Sequence, residues 1–208
     1  MGLTEEKLNE YKSHNEECLN MHLNVDFNPR DIIGDNPSDI EDVNYGNNDV
    51  KGERSDHGTS VIAANRNNGL GINGIAENVK LMVLRTIPQG DEYDKDVALA
   101  IRYAADNGAN IINMSFGKEM SPNKEFVDAA IKYAESKNIL MVHASGNSGI
   151  NVDVEPRYPN ATCLDGTSVQ SWLDVGASTK YKTSAIAADF SNYGKMNVDV
   201  FAPGKEIV

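Results

Sequence analysis

His57 sits in Asp56-His57-Gly58-Thr59, directly ahead of Val61-Ile62-Ala63-Ala64, a run that reads as helix. An imidazole in a helix's first turn feels the positive end of the dipole, which disfavours imidazolium and keeps the ring neutral and able to take a proton. Gly58 beside it lets another backbone approach closely. On residue type alone such a histidine is more often structural than catalytic. Two other segments carry small, polar, backbone-exposing residues of the kind that a groove for an extended peptide requires: Ser115-Phe116-Gly117 and Ser145-Gly146-Asn147-Ser148-Gly149. Asn147, between glycines, has the ordinary setting of a turn residue. His143 falls inside an apolar run and is expected to be a satisfied core or rim histidine, whereas His14 and His22 belong to a solvated segment. Asp35, Asp39, Glu41 and Asp42 form an acidic cluster, a candidate for structural calcium without the regular spacing of a calcium loop.

The elements that must position these groups can be read from periodicity. Residues 4–19 form an amphipathic pattern that Thr4 can cap, and residues 26–56 are dense in Asp, Asn, Gly and Pro, which predicts a long loop. From Asp56 onward the chain alternates. A strand is predicted over 79–84 and a helix over 91–107, with Val97, Ile101, Ala104 and Ala105 on one face and Gly108 at its C-cap. A strand over 111–114 follows, then a second helix opened by Ser121-Pro122 as cap and first turn, with Val127, Ala130, Ile131 and Ala134 inward. Further strands are predicted over 139–144, 173–177 and 198–201. Strands buried on both faces and alternating with amphipathic helices imply an α/β fold, a mainly parallel sheet with helices on both faces. In such sheets ligands bind beyond the carboxyl ends of the strands, which places the segments after Met114 and Ala144 on one rim.

Composition narrows the function classes. The formal charge is −12, from 31 acidic and 19 basic residues, with no basic stripe to displace counterions from nucleic acid. Hydrophobic residues make up 40% and charged residues 24% of the 208, ordinary for a globular domain. No apolar run approaches the roughly 20 residues of a membrane span, and no secretory leader pattern opens the sequence. Cys18 and Cys163 are too few for a disulfide framework, and their pairing stays open.

Six landmarks, taken in order, are similar to those of the subtilase family of subtilisin-like serine endopeptidases. They are His57-Gly58-Thr59, Asn113-Met114-Ser115-Phe116-Gly117, Ala144-Ser145-Gly146-Asn147, Val175-Gly176-Ala177-Ser178, Phe190-Ser191-Asn192-Tyr193-Gly194 and Phe201-Ala202-Pro203-Gly204. The resemblance covers about 45–208 and leaves 1–44 as a helix and acidic loop ahead of it. It implies a doubly wound, subtilisin-like fold and peptide-bond hydrolysis by Ser/His/Asp acyl transfer. His57 would be the general base, and the Asn147 carboxamide would donate to the oxyanion. Ser115, Phe116 and Gly117, with Ala144, Ser145 and Gly146, would line the specificity pocket and pair with the substrate backbone. No cofactor is needed for that chemistry, the partner is a polypeptide, and family precedent places the enzyme outside the cell or in the periplasm.

Two family parts have no counterpart. No Asp-Ser/Thr-Gly strand end precedes His57, and no Gly-Thr-Ser-Met-Ala-x-Pro segment follows Gly204. Gly166-Thr167-Ser168 mimics the latter, yet it precedes Phe201-Ala202-Pro203-Gly204 and runs into Val169-Gln170-Ser171, so Ser168 is not expected to be the nucleophile. The expectation is a catalytic domain truncated at both ends, inactive alone, with apolar surface that pairing of two copies could cover. The alternative is a catalytically dead, subtilase-like module that binds peptides without cutting them. A nucleotide-binding α/β domain is disfavoured because no glycine-rich loop follows the first strand. The subtilase reading requires His57 and Asn147 to converge across one cleft.

Overall fold

The computed structural model describes residues 61–64, 66–67, 72–82, 84, 86, 92–180 and 186–205. The expectations for the helix over 4–19, the loop over 26–56, the acidic cluster, Cys18 and His57 fall outside these residues. The chain divides into two compact units, the first Lys12–Pro88 and the second Gln89–Val208 together with Met1–Tyr11.

In the first unit, residues 61–63 are helical. Their turn is held by main-chain donors from 74–76: Gly74 N–H donates to Ala64 O, Ile75 N–H to Val61 O and Ala76 N–H to Ile62 O, at 2.8–3.0 Å. These bonds satisfy carbonyls that a helix end leaves without partners. The predicted strand over 79–84 is not realised as a ladder at residues 79–82.

The second unit carries the α/β architecture. Its elements are α1 (Asp94–Asp106), β1 (Ile111–Met114), α2 (Lys124–Ser136), β2 (Leu140–Ala144), β3 (Trp172–Ser178) and β4 (Val200–Pro203). The four strands pair in parallel in the order β1-β2-β3-β4. Register sets Met114 beside His143, Ala144 beside Val175, and Ser178 beside Pro203. The two helices pack on one face of the sheet. Val97, Ile101 and Ala105 of α1 and Val127, Ala130, Ile131 and Ala134 of α2 form one core with Met114, Met141 and Trp172. On the opposite face Ile111 and Leu140 are exposed, and Val142, Leu173 and Val175 are half-buried. Burial on both faces is therefore not reached among the described residues.

Helix ends follow local chemistry in one case and tertiary contact in the other. α1 stops because Gly108 takes φ +79° and Ala109 N–H reaches back to Ala104 O at 3.0 Å, a left-handed closure that glycine adopts without steric cost. Ser121 does not cap α2. Its hydroxyl donates instead to Asp94 Oδ1 at 2.8 Å, the helix begins at Lys124, and Asn123 occupies the cap position. A buried carboxylate on α1 outcompetes the local turn for that hydroxyl.

Candidate active site

The rim is built at the ends of β1 and β2. Ser115, Phe116 and Gly117 leave β1 while Ala144, Ser145, Gly146 and Asn147 leave β2, and parallel pairing makes the two exits neighbours. Ser115 accepts a 2.9 Å hydrogen bond from the Asn113 amide. Phe116 is half-buried against the core rather than free in a pocket. The segment's far end is fixed twice. Lys118 and Tyr158 exchange main-chain bonds of 2.9 and 3.0 Å, and Lys118 Nζ lies 2.7 Å from Asp94 Oδ1 and 2.6 Å from Glu92 O.

The turn carrying Asn147 is held by a residue that sequence reading left without a role. Asn192 is fully buried, and its carboxamide bridges the turn. Asn192 Nδ2 donates to Ser145 O at 2.7 Å, while Oδ1 accepts from Ser148 N–H at 2.9 Å and Ile150 N–H at 3.2 Å. Asn192 N–H donates to Gly146 O at 2.9 Å. Gly146 has φ +103°, and a Cβ there would stand 2.5 Å from Asn192 Nδ2, so both backbone angle and space demand glycine. Ser191 extends the brace to β3 by accepting from Ala177 N–H at 2.9 Å. The outcome is an exposed Asn147 on a turn whose main chain has little freedom. Ser145 is buried, its hydroxyl turned toward Asn192 O at 3.4 Å, so it stiffens the turn from behind.

His143 is not the satisfied histidine expected. It is 2% exposed, with Nδ1 2.6 Å from Asp174 Oδ1, but Nε2 is buried and has no hydrogen-bond partner among the described residues. Asp174 also accepts from Trp172 Nε1 at 2.7 Å, and its own N–H donates to Asp199 Oδ2 at 2.8 Å. The available signal was a histidine and an aspartate at facing positions of neighbouring strands, which register alone brings together. Nearby, burial pushes the Cys163 thiol up, reinforced by Asp128, which disfavours the thiolate. Burial tends to raise the Asp153 carboxyl, but hydrogen bonds from the N–H groups of Lys195, Met196 and Asn197 outweigh it and hold the group below 3.8. Ser168 is exposed and pairs with Thr162 just after a turn closed by Asp165. Among the described residues no three His, Cys, Asp or Glu side chains gather as a metal site.

Comparison with known proteins settles the kinship. The model of the subtilase family matches residues 16–207. The chain belongs to the subtilase family. It is 34% identical over 201 residues to the thermophilic serine proteinase of Bacillus sp. (strain AK1), an overlap of 94% of this chain and 45% of that one. The cell wall-associated protease of Bacillus subtilis (strain 168) is 36% identical over 187 residues, 88% of this chain and 19% of that protein. The chain thus spans less than half the length of either relative. Among solved structures, the prenylagaramide maturation protease PagA superposes with a TM-score of 0.60 at 26% identity, covering 74% of this chain and 52% of PagA. A protease of Pseudoalteromonas arctica PAMC 21717 gives 0.57 at 30% identity, covering 69% and 41%. The subtilisin-like α/β fold and the serine-protease kinship follow, and among the described residues no helix is long and apolar enough to cross a membrane.

Proposed function

We propose that this chain carries the base and the oxyanion donor of a serine endopeptidase site and holds polypeptide in extended form along 115–117 and 144–146. His57 takes the proton of the nucleophile and returns it to the leaving amine, and the Asn147 carboxamide donates to the tetrahedral oxyanion. The observation that carries this reading is the exposed Asn147 on a turn braced by buried Asn192 at the carboxyl end of β2. A donor fixed before the reaction needs no reorganisation when charge develops. Because the 208 residues include neither an Asp-Ser/Thr-Gly nor a Gly-Thr-Ser-Met-Ala segment, we expect them to bind peptide without hydrolysing it. Action outside the cell is supported by the kinship with a protease whose name marks it as cell wall-associated.

The test has two arms. The purified chain treated with a fluorophosphonate and with labelled casein is expected to show no adduct and no cleavage, and an adduct overturns the expected inactivity. Titration of the ¹⁵N-labelled chain with N-acetyl-tetraalanine amide is expected to move the amide resonances of residues 115–117 and 144–147, and unmoved resonances overturn the groove. In a form that holds the whole triad, Asn147→Leu should lower kcat by about 10²–10³ with KM little changed, the loss that one such donor accounts for in subtilisin.

A further inference from the structure

A cavity of about 320 Å³ adjoins both strand exits of the rim. Ser145, from the β2 exit, belongs to its wall, and so does Tyr158, whose main chain pairs with Lys118 directly after Gly117. Among the described residues, two cations and two carboxylates line it: Lys124, Arg157, Asp153 and Asp174. Three of these have close partners inside the fold. Lys124 Nζ lies 2.5 Å from Asp128 Oδ1. The Asp153 oxygens accept from the N–H groups of Lys195, Met196 and Asn197 at 2.6–3.2 Å. Asp174 Oδ2 accepts from Trp172 Nε1 at 2.7 Å, and Oδ1 is 2.6 Å from His143 Nδ1.

Arg157 differs. Its Nη1 reaches Pro156 O and its Nη2 reaches Glu119 Oε1, each at 3.4 Å, and among the described residues the guanidinium has no shorter bond. Bonds longer than about 3.2 Å are weak. Yet the side chain is only 15% exposed, so water does little to replace the missing acceptors. A guanidinium carries five N–H donors in a planar fork that matches a carboxylate with two parallel bonds. Glu119 shows from which side the fork is reached. It stands two residues past Gly117 with its side chain 78% exposed, and one of its oxygens already approaches Nη2 from the rim. That contact is long, uses one oxygen and is screened by solvent, so a better-placed carboxylate outcompetes it.

We infer that Arg157 determines side-chain preference at this cavity, selecting an acidic residue of the polypeptide, glutamate or aspartate, whose carboxylate takes the guanidinium fork. The inference rests on the peptide-groove reading above and adds to it the class of side chain taken.

The experiment titrates N-acetyl-Ala-Ala-Ala-X amides, with X as glutamate, glutamine, leucine or lysine, into the ¹⁵N-labelled 208-residue chain at pH 7. The blocked ends leave the side chain as the peptide's sole charge. The glutamate peptide is expected to bind roughly tenfold more tightly than the glutamine peptide, the size of exchanging a neutral for a charge-assisted pair. The Arg157 Nε resonance should move with glutamate and stay in place with leucine. Arg157→Met should bring glutamate and glutamine to within about twofold of each other. Its fold is expected to hold, because the bond from Asn160 Nδ2 goes to the main-chain oxygen of position 157. Glu119→Gln, at an exposed position, removes the competing carboxylate and should tighten glutamate binding about twofold without changing leucine. Glutamate binding no tighter than glutamine overturns the inference, as does a glutamate preference that survives in Arg157→Met or glutamate binding that weakens in Glu119→Gln. Rim amides that respond alike to all four peptides leave the groove standing and remove this assignment. Rim amides that respond to none remove both.

Discussion

Asn192 and His143 occupy comparable positions, each sealed inside the second unit close to the same rim, at 0% and 2% exposure. Their hydrogen bonding differs. The Asn192 carboxamide meets three main-chain groups of the 145–150 turn, with both its donor and its acceptor engaged. The His143 ring uses one nitrogen on Asp174 and leaves the other unmatched among the described residues. A fully matched buried polar group fixes a backbone, and it has nothing left to offer a ligand. A half-matched one retains an unmet demand and fixes less of the main chain around it.

The comparison is broken most severely at Asn192. Asn192→Ala removes the partner of Ser145 O, which is buried, and of Ser148 N–H and Ile150 N–H, which are part-buried, so a loss of about 2–3 kcal/mol is expected in urea unfolding. Hydrogen-exchange protection at residues 146–150 should fall further than protection in α1 and α2. A loss below about 1 kcal/mol would mean that the turn is held by something other than this carboxamide.

Asp174→Asn probes the other side at smaller cost. Trp172 Nε1 can only donate, so the new amide must turn its oxygen toward Trp172 and its NH2 toward His143. Nδ1 then has to accept, and the ring proton moves to Nε2. Stability should fall by about 1–2 kcal/mol. The two imidazole nitrogen resonances should exchange character, acceptor for donor. A ring that keeps its proton on Nδ1 in this variant would mean that the group at position 174 does not set the tautomer.

Much of the fold was legible because its signals are local. Val97, Ile101, Ala104 and Ala105 recur at helical spacing and are buried as that spacing requires, and Gly108 marks the helix end. The strand exits that carry Ser115 and Asn147 followed from apolar runs and from the rule for parallel sheets. Sequence reading failed where a distant residue decides. Ser121 looks like a cap until Asp94, 27 positions earlier, takes its hydroxyl. His143 looks like an ordinary strand residue because Asp174, its partner at Nδ1, is 31 positions away and only strand register brings the two together. Asn192 bonds to a turn 42 to 47 positions upstream, so within its own landmark it looks like another turn residue. His57 rests on the family motif and lies outside the described residues.

The smallest expected effect provides a surface control for the comparison. Asp165, at the turn that precedes Ser168, pairs with Lys132 of α2 at 2.6 Å, with the carboxylate more than half exposed. Lys132 first, then the hydroxyl and N–H of Thr167, hold the Asp165 carboxyl well below its ordinary value of 3.8. A carboxyl depressed by folding contributes stability above its unfolded pKa and loses it as pH falls toward the folded value. Solvent screening keeps such an exposed pair weak. Asp165→Asn should therefore lower the urea midpoint only slightly at pH 7, and the two proteins should converge as pH falls below about 4. A deficit that widens toward acid would reverse the sign and point to a carboxyl stabilised in its protonated form. A loss at pH 7 as large as that of Asn192→Ala would undo the distinction between a matched group in the interior and a matched pair in water.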